Sequence, residues 1–217
     1  MKKRIVALVS IFALCGCRNV QYNPHKNFQY DDFVNYYAEE NKTLGKVDVC
    51  AVGDSITYHY DLESYYKGIK MVNRGIPGET TTGLLNHIDT SIFAVDMKVI
   101  TLWIGINNVE NMMNDYEYIL SGIKEYKPDA KTIIISITPT RDYPSYLNGT
   151  IVERNKDIKA LAEKYAYQYV DIHSKLLNPS NELNEKYSMK DGLHLSKEGY
   201  KQVTKYLKPV LNEALKS

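Results

Sequence analysis

Short runs of apolar, mostly β-branched residues punctuate the chain at Val47–Val52, Ile69–Val72, Val99–Ile104, Thr132–Ile137 and Tyr167–Ile172. Each run is nearly continuous in apolar character instead of alternating, which is the pattern of strands covered on both faces. Between them lie stretches with helical spacing, at Asp61–Lys67, Thr81–Thr90, Glu110–Tyr126, Ile151–Ala166 and Lys197–Lys216. Pro128-Asp129 and Pro139 mark two of the junctions. Strands alternating with helices build parallel sheets through right-handed crossovers. The expected fold class is therefore α/β, a three-layer αβα sandwich with a five-stranded parallel sheet. Ahead of the first strand, Tyr30–Asn41 carries Phe33, Val34, Tyr36, Tyr37 and Ala38 in a weakly amphipathic pattern and reads as a helix packed on the domain.

The amino terminus has a different pattern. Met1-Lys2-Lys3-Arg4 is basic, Ile5–Leu14 is apolar but too short to span a bilayer comfortably, and Leu14-Cys15-Gly16-Cys17 follows. This order resembles the bacterial lipobox. It implies a lipoprotein signal peptide over 1–16, lipidation at Cys17, a polar tether over 17–29 and a folded domain over 30–217. The protein would then sit in the cell envelope, lipid-anchored outside the cytoplasm. An ordinary secretory signal cut near Gly16, or a plain membrane anchor, is the alternative.

Composition narrows the classes. With 44% hydrophobic and 24% charged residues the 217-residue chain is globular, of a size for one domain plus extras. Its net charge of +1 becomes −2 without Lys2, Lys3 and Arg4, and no block of like charge exists, so nucleic acid is not an expected partner. The three cysteines, Cys15, Cys17 and Cys50, show no metal-ligand spacing outside the leader, so no metal site is expected, and Cys50 reads as a small core residue. The 19 tyrosines mostly neighbour charged residues and read as half-buried cover.

The candidate chemistry lies where the strands end. Gly53-Asp54-Ser55-Ile56-Thr57 follows the first, Asn73-Arg74-Gly75-Ile76-Pro77-Gly78-Glu79-Thr80-Thr81 the second, and Gly105-Ile106-Asn107-Asn108 the third, while Asp191-Gly192-Leu193-His194 precedes the last helix. A serine hydroxyl is a poor nucleophile without a base in hydrogen-bond reach. Of the five histidines, His194 is the best candidate, because Asp191 three residues earlier can orient its ring. A tetrahedral intermediate needs donors for its negative oxygen. The Ser55 N–H, the Gly78 N–H and the Asn107 amide are the candidates.

These four blocks together resemble the GDSL esterases, also called SGNH hydrolases, over about three quarters of the chain, and look most like the branch of platelet-activating-factor acetylhydrolase-like enzymes. The resemblance implies a flavodoxin-like SGNH hydrolase fold over 30–217, with Ser55 as nucleophile, Asp191 and His194 completing a triad, and Ser55, Gly78 and Asn107 forming an oxyanion hole. It implies no cofactor. Asn108 departs from the family's more common Gly-x-Asn-Asp, and Ile56 stands where the family's name has Leu. Ser55 is not in a Gly-x-Ser-x-Gly elbow, which argues against an ordinary α/β-hydrolase.

Other residues in these blocks have plainer readings. Asp54 structures the turn, and His59 is a surface or pocket-rim residue. His173 is structural or near the pocket, His87 lies on a helix surface, Arg74 pairs with a local carboxylate such as Glu79, and Trp103 is core. The loop 139–150 is a rim at the same sheet edge. The expected activity is hydrolysis of short-chain esters, with acetyl on a sugar or small alcohol preferred, so the partner is a small-molecule or glycan ester. A lysophospholipase or thioesterase, an O-acyltransferase and a non-catalytic binding lipoprotein are the alternatives. The oligomeric state is not legible.

Overall fold

The computed structural model describes residues 29–216. The leader, Cys17 and all of the tether but its last residue lie outside the described residues. The chain runs α1 (Tyr30–Leu44), β1 (Val47–Gly53), α2 (Ser55–Tyr58), α3 (Leu62–Tyr65), β2 (Met71–Gly75), α4 (Thr81–Asn86), β3 (Met97–Trp103), α5 (Met113–Tyr126), β4 (Lys131–Ile135), α6 (Asn148–Lys164), β5 (Gln168–Val170), α7 (His173–Leu176) and α8 (Lys197–Ala214). The five strands form one parallel sheet in the order β2-β1-β3-β4-β5. The sandwich of the sequence reading is therefore present, with the flavodoxin-like strand order.

That order has a functional consequence. After β1 the chain steps outward to β2, then returns past β1 to β3, so the connections leaving β1 and β3 diverge and open a crevice at the carboxyl edge. Ser55 follows β1 and Asn107 follows β3, with Gly53 opposite Trp103 in the register. A Cβ on Gly53 would lie 2.1 Å from the Trp103 carbonyl oxygen, so only glycine lets the two strand ends converge here. Trp103 is buried core, as read from the sequence, and its Nε1 donates to the Ser136 carbonyl at 3.0 Å.

The helices form two groups. α4, α5 and α6 pack side by side, with α1 against the π-helical turn Asp89–Phe93 that follows α4. α7 and α8 form the other group, joined to the α2–α3 segment where Tyr60 stacks on Tyr200 at 5.0 Å and Lys208 donates to the Tyr65 carbonyl at 3.0 Å. Tyr200, Val203, Leu207, Leu211 and Ala214 bury one stripe of α8 at three- and four-residue spacing.

Several boundaries move for identifiable reasons. β2 begins later than the apolar run and continues through Arg74-Gly75, because β1 offers ladder partners as far as Gly53. β4 stops at Ile135 because the Asn155 side chain takes over: its Oδ1 accepts the Ile137 N–H at 2.8 Å and its Nδ2 donates to the Ile137 carbonyl at 2.9 Å. β5 is shortened by Ser136, whose Oγ accepts the N–H groups of Ile172 and His173 at 2.8 Å each and bends the chain into α7. The run at 61–67 yields only the four-residue α3, capped by the Asp61 carboxylate on the Ser64 N–H at 3.2 Å.

Candidate active site

The tight turn after β1 is built by Asp54. Its Oδ1 accepts the Ile56 N–H at 2.9 Å, which caps α2 and leaves Ser55 at the first helical position. The turn-forming reading of Asp54 therefore stands. Burial pushes its carboxyl up to about 7, the backbone N–H groups of Ile56 and Gly105 opposing and the charge of Glu79 adding to the rise. Tyr200 braces the turn from below, its hydroxyl donating to the Ile56 carbonyl at 2.7 Å. From the other side Asn73 Nδ2 donates to the Thr57 carbonyl at 2.8 Å.

Ser55 Oγ stands 2.9 Å from His194 Nε2, although the two residues are 139 positions apart. His194 Nδ1 stands 2.7 Å from Asp191 Oδ2. An ionised carboxylate only accepts, so the ring proton lies on Nδ1 and Nε2 is left as an acceptor facing the serine hydroxyl. Asp191 Oδ1 meanwhile accepts the backbone N–H groups of Leu193 at 3.0 Å and His194 at 2.9 Å. Burial alone would raise the Asp191 carboxyl, but these bonds and the His194 ring outweigh it and hold it below the usual carboxylate value. The turn carrying both residues is clipped to the loop after β4 by Arg141 N–H donating to the Gly192 carbonyl at 2.8 Å.

The expected oxyanion donors come from two neighbouring loops. Ile76-Pro77-Gly78-Glu79 has proline second, glycine third with φ +79°, and the Glu79 N–H on the Ile76 carbonyl at 3.1 Å. Those are the marks of a type II turn, which turns the N–H of its third residue outward. Gly78 and Asn107 are both exposed. Among the described residues, neither the Gly78 nor the Ser55 N–H has an internal acceptor. Asn107 spends one amide hydrogen on the Glu79 carbonyl at 2.8 Å and keeps the second. Asn108, the departure from the common motif, caps α4: its Oδ1 accepts the Thr81 N–H at 3.2 Å and its Nδ2 donates to Thr81 Oγ1 at 2.8 Å.

All five expected site residues thus meet at one edge of the sheet. Beside them His59 is exposed, with its ring 5.6 Å from that of His194 and perpendicular to it, which fits a rim position. Though exposed, the ring is partly shielded from water by its neighbours, and this desolvation first, with the His194 charge second, lowers it below the ordinary histidine value, against the opposing charge of Asp191. The rim loop expected over 139–150 ends at Leu147, where α6 takes over, and it carries Tyr143 and Tyr146, 87% and 68% exposed with ring centroids 5.8 Å apart. Among the described residues, no three His, Cys, Asp or Glu side chains are grouped to hold a metal ion. Cys50 is buried, and burial pushes its thiol up to about 12.

Two sequence readings are overturned. His87 is not on a helix surface: α4 ends at Asn86, the chain turns inward, and His87 is buried with Nε2 2.7 Å from Glu79 Oε2. Arg74 does not pair with Glu79. Its buried guanidinium meets Glu40 and, at 2.6 Å, Asn41 Oδ1, and lies 4.5 Å from the Tyr37 ring centroid. The helical wheel held a signal for His87, which shares a face with Thr81 and Leu84, both fully buried.

Comparison with known proteins identifies the family. The sequence profile of the GDSL-like lipase/acylhydrolase family matches residues 51–202. The rat platelet-activating factor acetylhydrolase IB subunit alpha2 is 28% identical over 178 residues, which is 77% of either chain. A protein of Streptococcus pneumonia provisionally described as a platelet activating factor superposes with a TM-score of 0.77 at 27% identity, covering 84% of this chain and 92% of its own. An acetylxylan esterase from Geobacillus stearothermophilus has the same fold, with a TM-score of 0.62 at 20% identity over 76% of this chain and 94% of its own.

Proposed function

Because the chain belongs to the GDSL-like lipase/acylhydrolase family, we propose that it is a serine ester hydrolase working through an acyl-enzyme on Ser55. The unbroken line Asp191–His194–Ser55, with contacts of 2.7 and 2.9 Å, carries the proposal. As Ser55 Oγ attacks an ester carbonyl, its proton passes to His194 Nε2, and Asp191 stabilises the imidazolium so formed. The carbonyl oxygen becomes an oxyanion held by the Ser55 and Gly78 N–H groups and the free amide hydrogen of Asn107. His194 then protonates the departing alkoxide. Water, activated by the same ring, attacks the acyl-enzyme and restores the serine.

The substrates we propose are short-chain esters, acetyl above all, on sugars or small alcohols. Two observations support this. Gly78, Asn107 and Asp191 are exposed, so the site is an open shelf suited to an acyl group presented on a larger alcohol. Tyr143 and Tyr146 stand exposed on the loop tied to the Asp191 turn, where aromatic faces can stack on sugar rings. Two of the similar proteins bear the names of acetyl-ester hydrolases. We further propose lipidation at Cys17, which would hold the domain outside the cytoplasm on a short tether.

The deciding experiment compares wild type with Ser55→Ala on p-nitrophenyl acetate, with thermal melting as the folding control. Turnover that disappears in a folded Ser55→Ala protein supports the mechanism, and unchanged turnover ends it. Acetylated oligosaccharides set against longer-chain esters then decide the substrate class.

A further inference from the structure

The hydrogen bonds around Glu79 join both loops that supply oxyanion donors. The Glu79 N–H closes the turn that turns the Gly78 N–H outward, at 3.1 Å from the Ile76 carbonyl. The Glu79 carbonyl accepts Asn107 Nδ2 at 2.8 Å and so aims the other amide hydrogen. One residue's backbone therefore sets the distance between the two donors.

The Glu79 side chain fixes that backbone from behind. It is 1% exposed, and its carboxylate is fully engaged. Oε1 accepts the Tyr30 hydroxyl at 2.8 Å and the Thr80 N–H at 3.0 Å, while Oε2 meets His87 Nε2 at 2.7 Å and the Tyr30 hydroxyl at 3.0 Å. His87 Nδ1 is in turn 2.8 Å from Ser91 Oγ. The neighbouring helix leaves room for this cluster: a Cβ on Gly83 would lie 2.1 Å from Glu79 Oε1 and 2.6 Å from the Tyr30 hydroxyl oxygen. Tyr30 comes from α1, ahead of the residues that match the family profile, while His87 caps the end of α4 and Ser91 lies within the π-helical turn Asp89–Phe93 that follows.

We infer that the buried Glu79–His87 pair, completed by Tyr30, is a positioning unit for the oxyanion hole, acting through the Glu79 backbone on Gly78 and Asn107. The inference rests on the ester-hydrolase reading above. A buried carboxylate with four hydrogen-bond contacts has little freedom to shift, and donor placement is what oxyanion stabilisation depends on. Misplacing a donor by a fraction of an ångström weakens binding of the tetrahedral species much more than binding of the neutral ester.

The test uses His87→Ala and Tyr30→Phe in the otherwise intact protein. It measures kcat and KM on p-nitrophenyl acetate, the inhibition constant for phenylboronic acid, and the melting temperature. Phenylboronic acid forms an anionic tetrahedral adduct on the serine and probes the donors directly. For His87→Ala kcat should fall about 10- to 100-fold, KM should stay within about twofold, and the inhibition constant should rise in parallel with the loss of kcat. Tyr30→Phe, which removes one hydroxyl from a residue at the surface, should show the same split at about threefold to tenfold and decides the matter if His87→Ala does not fold. A purely structural role would lower the melting temperature and leave both kcat and boronate affinity of the folded protein unchanged; that result overturns the positioning role while wild-type turnover stands. A wild type with no turnover overturns the hydrolase reading, and this inference with it.

Discussion

Asp191 holds His194 at two points. Its Oδ2 meets the ring Nδ1 at 2.7 Å, and its Oδ1 accepts the His194 backbone N–H at 2.9 Å. The ring's tautomer and the direction of its Nε2 toward Ser55 are set within a turn of four residues. Few degrees of freedom are left for the rest of the fold to correct, so most of the consequences of changing Asp191 should be local.

Asp191→Asn should keep the protein folded and lower kcat by about 10²- to 10⁴-fold, because an amide can present its N–H to Nδ1 and favour the wrong tautomer. Steady-state kinetics on p-nitrophenyl acetate, with a melting curve as control, checks this. A loss below about fivefold would remove Asp191 from the triad.

Asn107→Ala removes one oxyanion donor and frees the Glu79 carbonyl, but touches neither Ser55 nor His194. The expected outcome is a kcat lower by about 10²- to 10³-fold with little change in KM. A rise in KM at constant kcat would instead make Asn107 a residue that binds the ground state.

His59 faces the His194 ring at 5.6 Å, but among the described residues no carboxylate is bonded to its ring, so it is a rival base only by proximity. His59→Ala should retain most of the wild-type turnover. Loss equal to that of His194→Ala would reassign the base.

The raised carboxyl of Asp54 has a stability signature. Its folded value of about 7 lies above the value of about 3.9 for an unfolded aspartate. Between those values the folded state binds more protons than the unfolded state, so this group's contribution to stability declines as pH rises from about 4 to about 7 and is constant above. Asp54→Asn cannot ionise and lacks that decline. Melting temperatures taken at pH 5 and pH 8 should therefore show the variant gaining relative to wild type at the higher pH. A difference independent of pH would place the Asp54 carboxyl at an ordinary value.

Anchoring is tested at the amino terminus. Cys17→Ser should move the protein from the membrane fraction to the soluble fraction of the producing cell, and should abolish incorporation of labelled fatty acid. Retention in membranes without label would favour an uncleaved anchor in place of a lipoprotein.

The α/β sandwich was legible because its signals are local. Strand and helix periods are properties of short windows, and runs such as Val99–Ile104 can be buried on both faces in few ways. Three of the motif blocks were legible for a related reason: a parallel sheet brings successive strand ends to one edge whatever the detailed packing, so Ser55, Gly78 and Asn107 had to share a neighbourhood. His194, on the segment ahead of α8, was matched to them by the family resemblance and the Asp191 spacing, and was brought there by the tertiary fold. What the sequence alone could not determine were choices among nearby partners of similar chemistry. Arg74 had Glu79 five residues away and pairs with Glu40 across the α1 contact, while Glu79 turns to His87 and Tyr30. Strand ends were decided in the same way, by side chains such as Asn155 and Ser136 that substitute for ladder partners from distant elements. Burial of polar groups makes each such pairing obligatory once the layers close, and which partner is within reach is fixed only by how the helices seat on the sheet.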